Sequence, residues 1–551
     1  MGTRGYRVYR YREMFFIKYN NRDSYPESLG VDILESMRRS GAIEWKREEL
    51  EEVLDELGGP YSPDSDDDFD IRIVKERPWT DLFIEWIYEI DLDRNIFHVN
   101  GIPFFSLECL PDSTAFLEYV TKDHYGHITC PPTCPPEQKY KLSAPPVVDD
   151  SDIATYQSLV CTGTQVALSD LLAISDALSP DENVRVSLLE ALVGQYLVRR
   201  DVAYITHDLG LISGPEQLTD DFWLVASSMA NLAFVPQMFD SKYISHEDLD
   251  LQEELTWVRG DTVLFISTHL HDERCLQVAL SRLIDEILEQ KDTGDYFGVA
   301  FSLFRCAIIK VVIDEHTTTF SHTAAFEFLP TFHADSPSTP GITALARLGY
   351  RIDPELFERA TEIYHRYGIG ESKERTEDEK LLAQGTNDAP SNVHVVLPTE
   401  LWREIALHLR LPDLLTFGLV SQLFREVASM ILRYPHICGF RLVAVIEKPE
   451  RMMEDYLFLR ASSFSAERAG IPATVLVGLG SDHGWDRWED REDWIISMHI
   501  PYASRSHSVL VSVEIKPDSS ALKMKESESS HSIEHSSDAD VGDTVTDLTV
   551  V

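Results

Sequence analysis

The densest group of potential metal ligands in the sequence is His124, His127, Cys130 and Cys134, two imidazoles and two thiols within eleven residues. These are the ligand types of a tetrahedral zinc site, which takes thiolate sulfur and imidazole nitrogen. The order, histidines before cysteines, and the stiff Cys130-Pro131-Pro132-Thr133-Cys134 run favour a surface loop over a metal site. Thr268-His269-Leu270-His271-Asp272-Glu273 resembles the opening of a metallohydrolase loop, but Glu273-Arg274 stands where the next histidine belongs. It reads better as a helix start, with Thr268 or Asp272 as cap and Glu273 in the first turn. Asp64, Asp66, Asp67, Asp68 and Asp70 lack the glycine and terminal glutamate of a calcium loop and read as solvated. Gly478-Leu479-Gly480 follows an apolar run without the third glycine and helix that a phosphate cradle needs. Gly2 stands where an N-terminal nucleophile would have to be, and the Ser/Glu run from Glu526 to Ser530 offers phosphorylation sites. None of these sets is complete, so the expectation is a chain with no catalytic residue, no metal and no cofactor.

The elements around these residues divide the chain. Tyr6 to Tyr19 reads as an aromatic hairpin, followed by helices at Val31 to Arg39 and Glu48 to Leu57. Alternation from Ile84 to Leu92, the turn Asp93-Arg94-Asn95 and Ile96 to Val99 give a second hairpin, and Pro131 to Pro146 closes an α/β domain over 1–147. A mainly helical domain is expected over 148–368, with helices at Ala167 to Leu178, Asp181 to Arg199, Pro215 to Leu232, Glu273 to Gln290 and Pro354 to Tyr367. Within it Val299 to Ile313 and Thr319 to Leu329 form a strand pair, and Pro340-Gly341 separates strands from the last helix. A polar linker at 369–392, a helical module at 393–437, a small β-containing region at 438–515 and a disordered acidic tail at 516–551 complete an α+β multidomain chain.

Bulk properties exclude several function classes. The sequence has 551 residues, too many for one core, and carries a formal net charge of −44 that repels phosphate backbones and anionic headgroups. Nucleic acid and membrane are therefore not expected partners. Seven scattered cysteines favour a reducing compartment, cytoplasmic or nuclear, and the longest apolar stretch, Phe297 to Ile313, is broken by Arg305 and Lys310.

One segment carries a positive signal. Val396-Leu397-Pro398-Thr399-Glu400-Leu401 opens a helix, because a proline at the first position loses no needed N–H and Glu400 meets the positive end of the helix dipole. Leu401, Ile405 and Leu409 recur every fourth residue and are expected to line one stripe. Pro412 breaks this helix and opens the next, and Val420, Phe424, Val427 and Ile431 mark a third. Three helices in so short a segment enclose little core, so apolar side chains should remain for a partner.

Leu-Pro-x-x-Leu-x-x-x-Ile-x-x-x-Leu, then Asp413-Leu414-Leu415, then Val420-Ser421-Gln422-Leu423-Phe424-Arg425, resembles the F-box family from Val395 to about Tyr434. Phe424 stands where many members have Trp, and Leu423 where Cys or a polar residue is frequent. The resemblance implies docking on the Skp-type linker subunit of a cullin-RING ubiquitin ligase. Leu397, Pro398, Leu401, Ile405, Leu409, Leu414, Leu415, Val420 and Phe424 would supply that contact or the small core behind it, while the rest of the chain recruits an unidentified target protein. Met1-Gly2-Thr3-Arg4-Gly5 with Tyr19-Asn20-Asn21-Arg22-Asp23-Ser24-Tyr25-Pro26 is similar to an uncharacterised N-terminal domain of many fungal and some bacterial proteins, in which a His often occupies the position of Asn21. It implies a fungal source and no activity. The expected function is thus an adaptor that performs no chemistry itself. The alternative is an enzyme or ligand-binding N-terminal domain to which an F-box was appended as a scaffold.

Overall fold

The structure is a computed structural model that describes residues 3–56, 71–80, 83–123, 127–159, 164–198, 200–239, 254–329, 338–367, 397–446, 458–480, 494–500 and 507–517. The acidic loop at Asp64 to Asp70, His124, the linker at 369–392, the serine-rich run at 526–530 and the tail beyond Pro517 lie outside the described residues.

The N-terminal region is built on a six-stranded sheet. Strands β1 (Gly5–Tyr11) and β2 (Met14–Asn20) form the expected aromatic hairpin, and helices α1 (Val31–Met37) and α2 (Ala42–Glu56) precede β3 (Arg72–Val74). Next come β4 (Trp86–Asp91), β5 (Ile96–Val99), β6 (Ile102–Ser106), helix α3 (Ser113–Tyr119) and a ribbon of β7 (Thr121–Lys122) with β8 (Ile128–Thr129). The strand order is β3-β2-β1-β4-β5-β6, with β1 parallel to β4 and Arg10 opposite Asp91. Because side chains alternate along a strand, Tyr88, Ile90, Phe97 and Val99 reach one face, where the three helices cover them. Val8, Ile87, Glu89, Asp91 and His98 reach the other, so that face is part apolar and part charged.

The region expected to be mainly helical also contains a sheet. Helix α4 (Asp150–Leu159), strand β9 (Thr164–Gln165), and helices α5 (Leu168–Leu172), α6 (Pro180–Val198), α7 (Arg200–Leu209) and α8 (Asp220–Asn231) lead to β10 (Met238–Phe239). Strands β11 (Leu255–Arg259) and β12 (Thr262–Ile266), helix α9 (Glu273–Gln290), and β13 (Gly294–Phe301), β14 (Arg305–Ile313), β15 (Thr318–His322) and β16 (Phe326–Glu327) then form the order β11-β12-β13-β14-β15-β9, with β16 on β14. The run read as one strand from Val299 to Ile313 turns at Leu303, whose φ is +61°, and pairs with itself. Pro340 and Gly341, read as a separator, open helix α10 (Pro340–Gly349), with the Thr339 hydroxyl accepting from the Ile342 N–H at 3.2 Å. Proline loses nothing at a helix start, which is why it signals both a break and a beginning. Helix α11 (Leu356–Tyr367) follows.

After three short helices described below, β17 (His436–Ile437), β18 (Phe440–Ile446), β19 (Phe458–Arg468), β20 (Ile471–Gly480), β21 (Trp494–Ile500) and β22 (His507–Pro517) form a third sheet. Its far edge is β10, which pairs in parallel with β17 through Met238↔His436 and Phe239↔Ile437. One apolar core accordingly runs from Leu171 on α5 through α6, α8, α10, α11 and the short helices to Val477 on β20. The face of β12 to β14 turned away from that core packs against α9.

Candidate partner-docking face

The segment singled out by its spacing folds as α12 (Thr399–Leu407), α13 (Leu411–Gly418) and α14 (Gln422–Leu432). Pro398 sits one position before the expected start: its φ of −57° and ψ of 150° are non-helical, and its carbonyl accepts from the N–H of Leu401 at 3.0 Å and of Trp402 at 3.2 Å. Pro412 is within the first turn of α13, and Arg410 reaches across that turn to Asp413 at 2.8 Å. Ser421, extended at φ −160°, caps α14 by accepting from the Phe424 N–H at 3.3 Å. Of the three starts, that of α14 is the one in which a side chain satisfies a backbone donor that the helix itself leaves free.

The three helices share a small aromatic centre. Phe424 stacks on Phe417 at 4.4 Å between ring centroids and meets Trp402 edge-on at 4.7 Å. Leu414, Leu415, Val427, Ala428, Ile431 and Leu432 are buried and join the large core. A Cβ on Gly418 would stand 2.1 Å from the Phe357 ring, so α13 lies directly on α11. Arg425 pairs with Glu358 at 2.8 Å beside that contact. At the far end of α14 the Arg433 carbonyl accepts from Arg185 at 3.4 Å, and the Arg433 guanidinium donates to the Tyr350 carbonyl at 2.8 Å. The module is therefore fixed on the body of the protein through its back.

Apolar side chains remain exposed on α12, at the α13–α14 corner and on α14. Leu401 is 48% exposed, Ile405 42% and Val420 68%, and Leu419, Leu423 and Met430 are exposed as well. Those six are of twenty-one large apolar side chains exposed among the described residues, a concentration in some thirty positions that scattered surface leucines do not produce. Leu401 and Ile405 lie one helical turn apart, and Leu419 and Leu423 flank the extended Ser421 at the α13–α14 corner.

Of the residues expected to serve the partner contact, Pro398, Leu401, Ile405 and Val420 are exposed, while Leu414 and Leu415 are buried behind them. Leu397, Leu409 and Phe424 are half-buried. The stripe of Leu401, Ile405 and Leu409 is divided, because α12 ends at Leu407 and Leu409 beyond it packs against the large core. The inward side chains of α12 are Trp402, Ala406 and Leu407, and Leu419, Leu423 and Met430 were not singled out by the sequence.

The other chemical candidates are placed as follows. The His127 ring Nε2 lies 2.9 Å from the Leu197 carbonyl, and Cys130 and Cys134 adjoin each other as free thiols. Burial, and for Cys130 also the neighbouring Cys134, pushes both thiols up, away from the thiolate a metal would bind. Asp272 caps α9, accepting from the Arg274 and Cys275 N–H groups at 3.0 Å. Gly478 and Gly480 lie in β20. No helix among the described residues is long and apolar enough to cross a membrane.

Residues 396–436 match the F-box domain family. No curated protein and no solved structure matches the chain.

Proposed function

We propose that the chain is a substrate adaptor: α12 to α14 dock on the Skp-type linker subunit of a cullin-RING ubiquitin ligase, and the remainder holds a target protein. The observation that carries this reading is the exposed apolar face of Leu401, Ile405 and Val420 on a segment that matches the F-box domain. Fully burying a Leu-sized side chain is worth about 1.5–3 kcal/mol, and these are already partly covered, so each has roughly 1 kcal/mol left to gain. With Leu419, Leu423 and Met430 the sum is about 6 kcal/mol before the cost of association, enough for a docking face built on a few anchors. In this reading the chain performs no bond-making itself. It positions its target because the docking helices share one core with α6, α10 and α11 and cannot swing freely.

The test is co-purification of the full chain with a Skp-type linker protein. Wild type should retain the linker and the Leu401→Asp/Ile405→Asp double variant should lose it, since each carboxylate would be desolvated at an apolar contact. Retention by the folded double variant rules out docking through this face.

A further inference from the structure

The charged face of the N-terminal sheet contains a histidine that the described residues leave without a hydrogen-bond partner. Glu89 on β4 and His98 on β5 are direct cross-strand partners, and Asp91 lies two residues beyond Glu89 on the same face. All three are fully buried. Their ligand atoms lie within 4.8 Å of one another, and His98 Nε2 is 3.8 Å from Asp91 Oδ2. That separation is too long for a hydrogen bond, and neither ring nitrogen of His98 has a hydrogen-bond partner among the described residues. A neutral imidazole offers one lone pair and one N–H, and burying both unmet is costly, so such a group calls for an occupant.

We propose that Glu89, Asp91 and His98 form a buried site for one divalent transition-metal ion of the zinc or manganese class. Two carboxylates and one imidazole are the donors such ions take. With each bond about 2.0–2.1 Å, two tetrahedral ligand atoms stand roughly 3.4 Å apart, so the Nε2–Oδ2 pair has to close by about 0.4 Å.

The surrounding charge leaves room for a cation. Asp91 is paired with Arg10 at 3.1 Å, Arg10 also approaches Asp93 at 3.7 Å, and Arg77 bridges Glu89 and Asp208, each at 3.1 Å, with Arg94 4.0 Å from Asp208. Four carboxylates thus face three guanidinium groups, a net charge of −1 with His98 neutral. Arg77 follows β3 in a stretch without helix or strand and already holds Asp208, on α7. It can give up Glu89 to the metal and keep Asp208, so a bound ion leaves the sheet joined to α7.

The full chain, purified from metal-replete medium and dialysed, is assayed for bound metal by plasma mass spectrometry and titrated with Zn2+ and Mn2+ by calorimetry. The expected result is about one equivalent per chain, lost in His98→Gln and in Glu89→Gln and kept in Cys130→Ala. Glu89→Gln is the shape-conserving variant and still offers Arg77 an acceptor, and a chelator should lower the wild-type melting temperature without any substitution. No metal and no heat with either ion in folded wild type overturns the proposal. So does equal loading of folded Glu89→Gln, or loss in Cys130→Ala alone.

Discussion

Gly418→Ala isolates the contact that fixes the three-helix segment α12 to α14 on the body of the protein. In an isolated helix this change stabilises by about 1 kcal/mol, because glycine gives up more backbone freedom than alanine. Gly418 lies in ordinary helix, not the left-handed region, so backbone strain offers no objection. The new methyl would instead meet Phe357 Cε2 at 2.1 Å and Cζ at 2.5 Å, where atoms at contact need about 3.5 Å. Phe357 is buried in the large core and has to move by roughly 1 Å, or α13 has to lift from α11. Overpacking of this kind costs about 1–3 kcal/mol, which exceeds the helix gain, so the net expectation is a loss of up to about 2 kcal/mol. The assay is urea unfolding followed by tryptophan fluorescence, for Gly418→Ala, Phe357→Leu and the pair. Phe357→Leu alone leaves a cavity and destabilises; combined with Gly418→Ala it makes room for the methyl, so the double variant should be more stable than the sum by about 1 kcal/mol or more. A midpoint raised in Gly418→Ala by the full helix gain of about 1 kcal/mol, or strict additivity, would refute the direct packing of α13 on α11.

Three further outcomes rest on the same junction. Arg185→Met should lower the apparent melting temperature by several degrees, because the Ala233 carbonyl at 2.6 Å and the Arg433 carbonyl lose a buried charged donor, a cost of about 2–4 kcal/mol in unpaired groups. Ser421→Ala should cost about 1 kcal/mol of helix stability by removing the cap of α14, read as a lowered urea midpoint with the fold intact by circular dichroism. Burial holds His436 down to about 4, opposed by the Tyr434 carbonyl at 2.8 Å and reinforced by Arg441. An unfolded histidine titrates near 6.5, so between about pH 6.5 and 4 the unfolded state binds the extra proton and stability falls as pH falls. His436→Gln should flatten that loss by at most about 1.4 kcal/mol per pH unit, measured by urea unfolding across the window; an unchanged slope would mean His436 is already charged or solvated.

Local signals were readable in the sequence and long-range ones were not. Pro398, Glu400 and Pro412 mark helix starts through backbone chemistry of their own and the spacing from Val420 marks the third, so the starts of all three short helices were legible to within one or two positions, while the Ser421 cap was not read. Which apolar residues face outward was less so, because the end of α12 at Leu407 turns Leu409 away from Leu401 and Ile405. The central sheet was under-read because Val263 to Ile266 is a continuous apolar run, which periodicity alone does not separate from buried helix. The pairing of β10 with β17 joins residues nearly two hundred positions apart, and no local pattern announces it. The same holds for Glu89, Asp91 and His98: their strands were expected, but only the register across the Asp93-Arg94-Asn95 turn puts the histidine opposite the glutamate. His127, Cys130 and Cys134, conspicuous by spacing, are held by backbone carbonyls, and the two thiols also by each other.

If the exposed apolar side chains of α12 to α14 form a docking surface and the residues behind them serve the fold, then the affinity of the purified full chain for a Skp-type linker protein and its melting temperature respond to different substitutions. Leu401→Asp/Ile405→Asp should weaken binding by about a hundredfold or more at an unchanged melting temperature, since two anchors worth more than 1 kcal/mol each become desolvated charges. Leu415→Ala, buried behind them, should instead lower the melting temperature by a cavity cost of about 2–5 kcal/mol. Full affinity in the doubly substituted, folded chain would contradict the account.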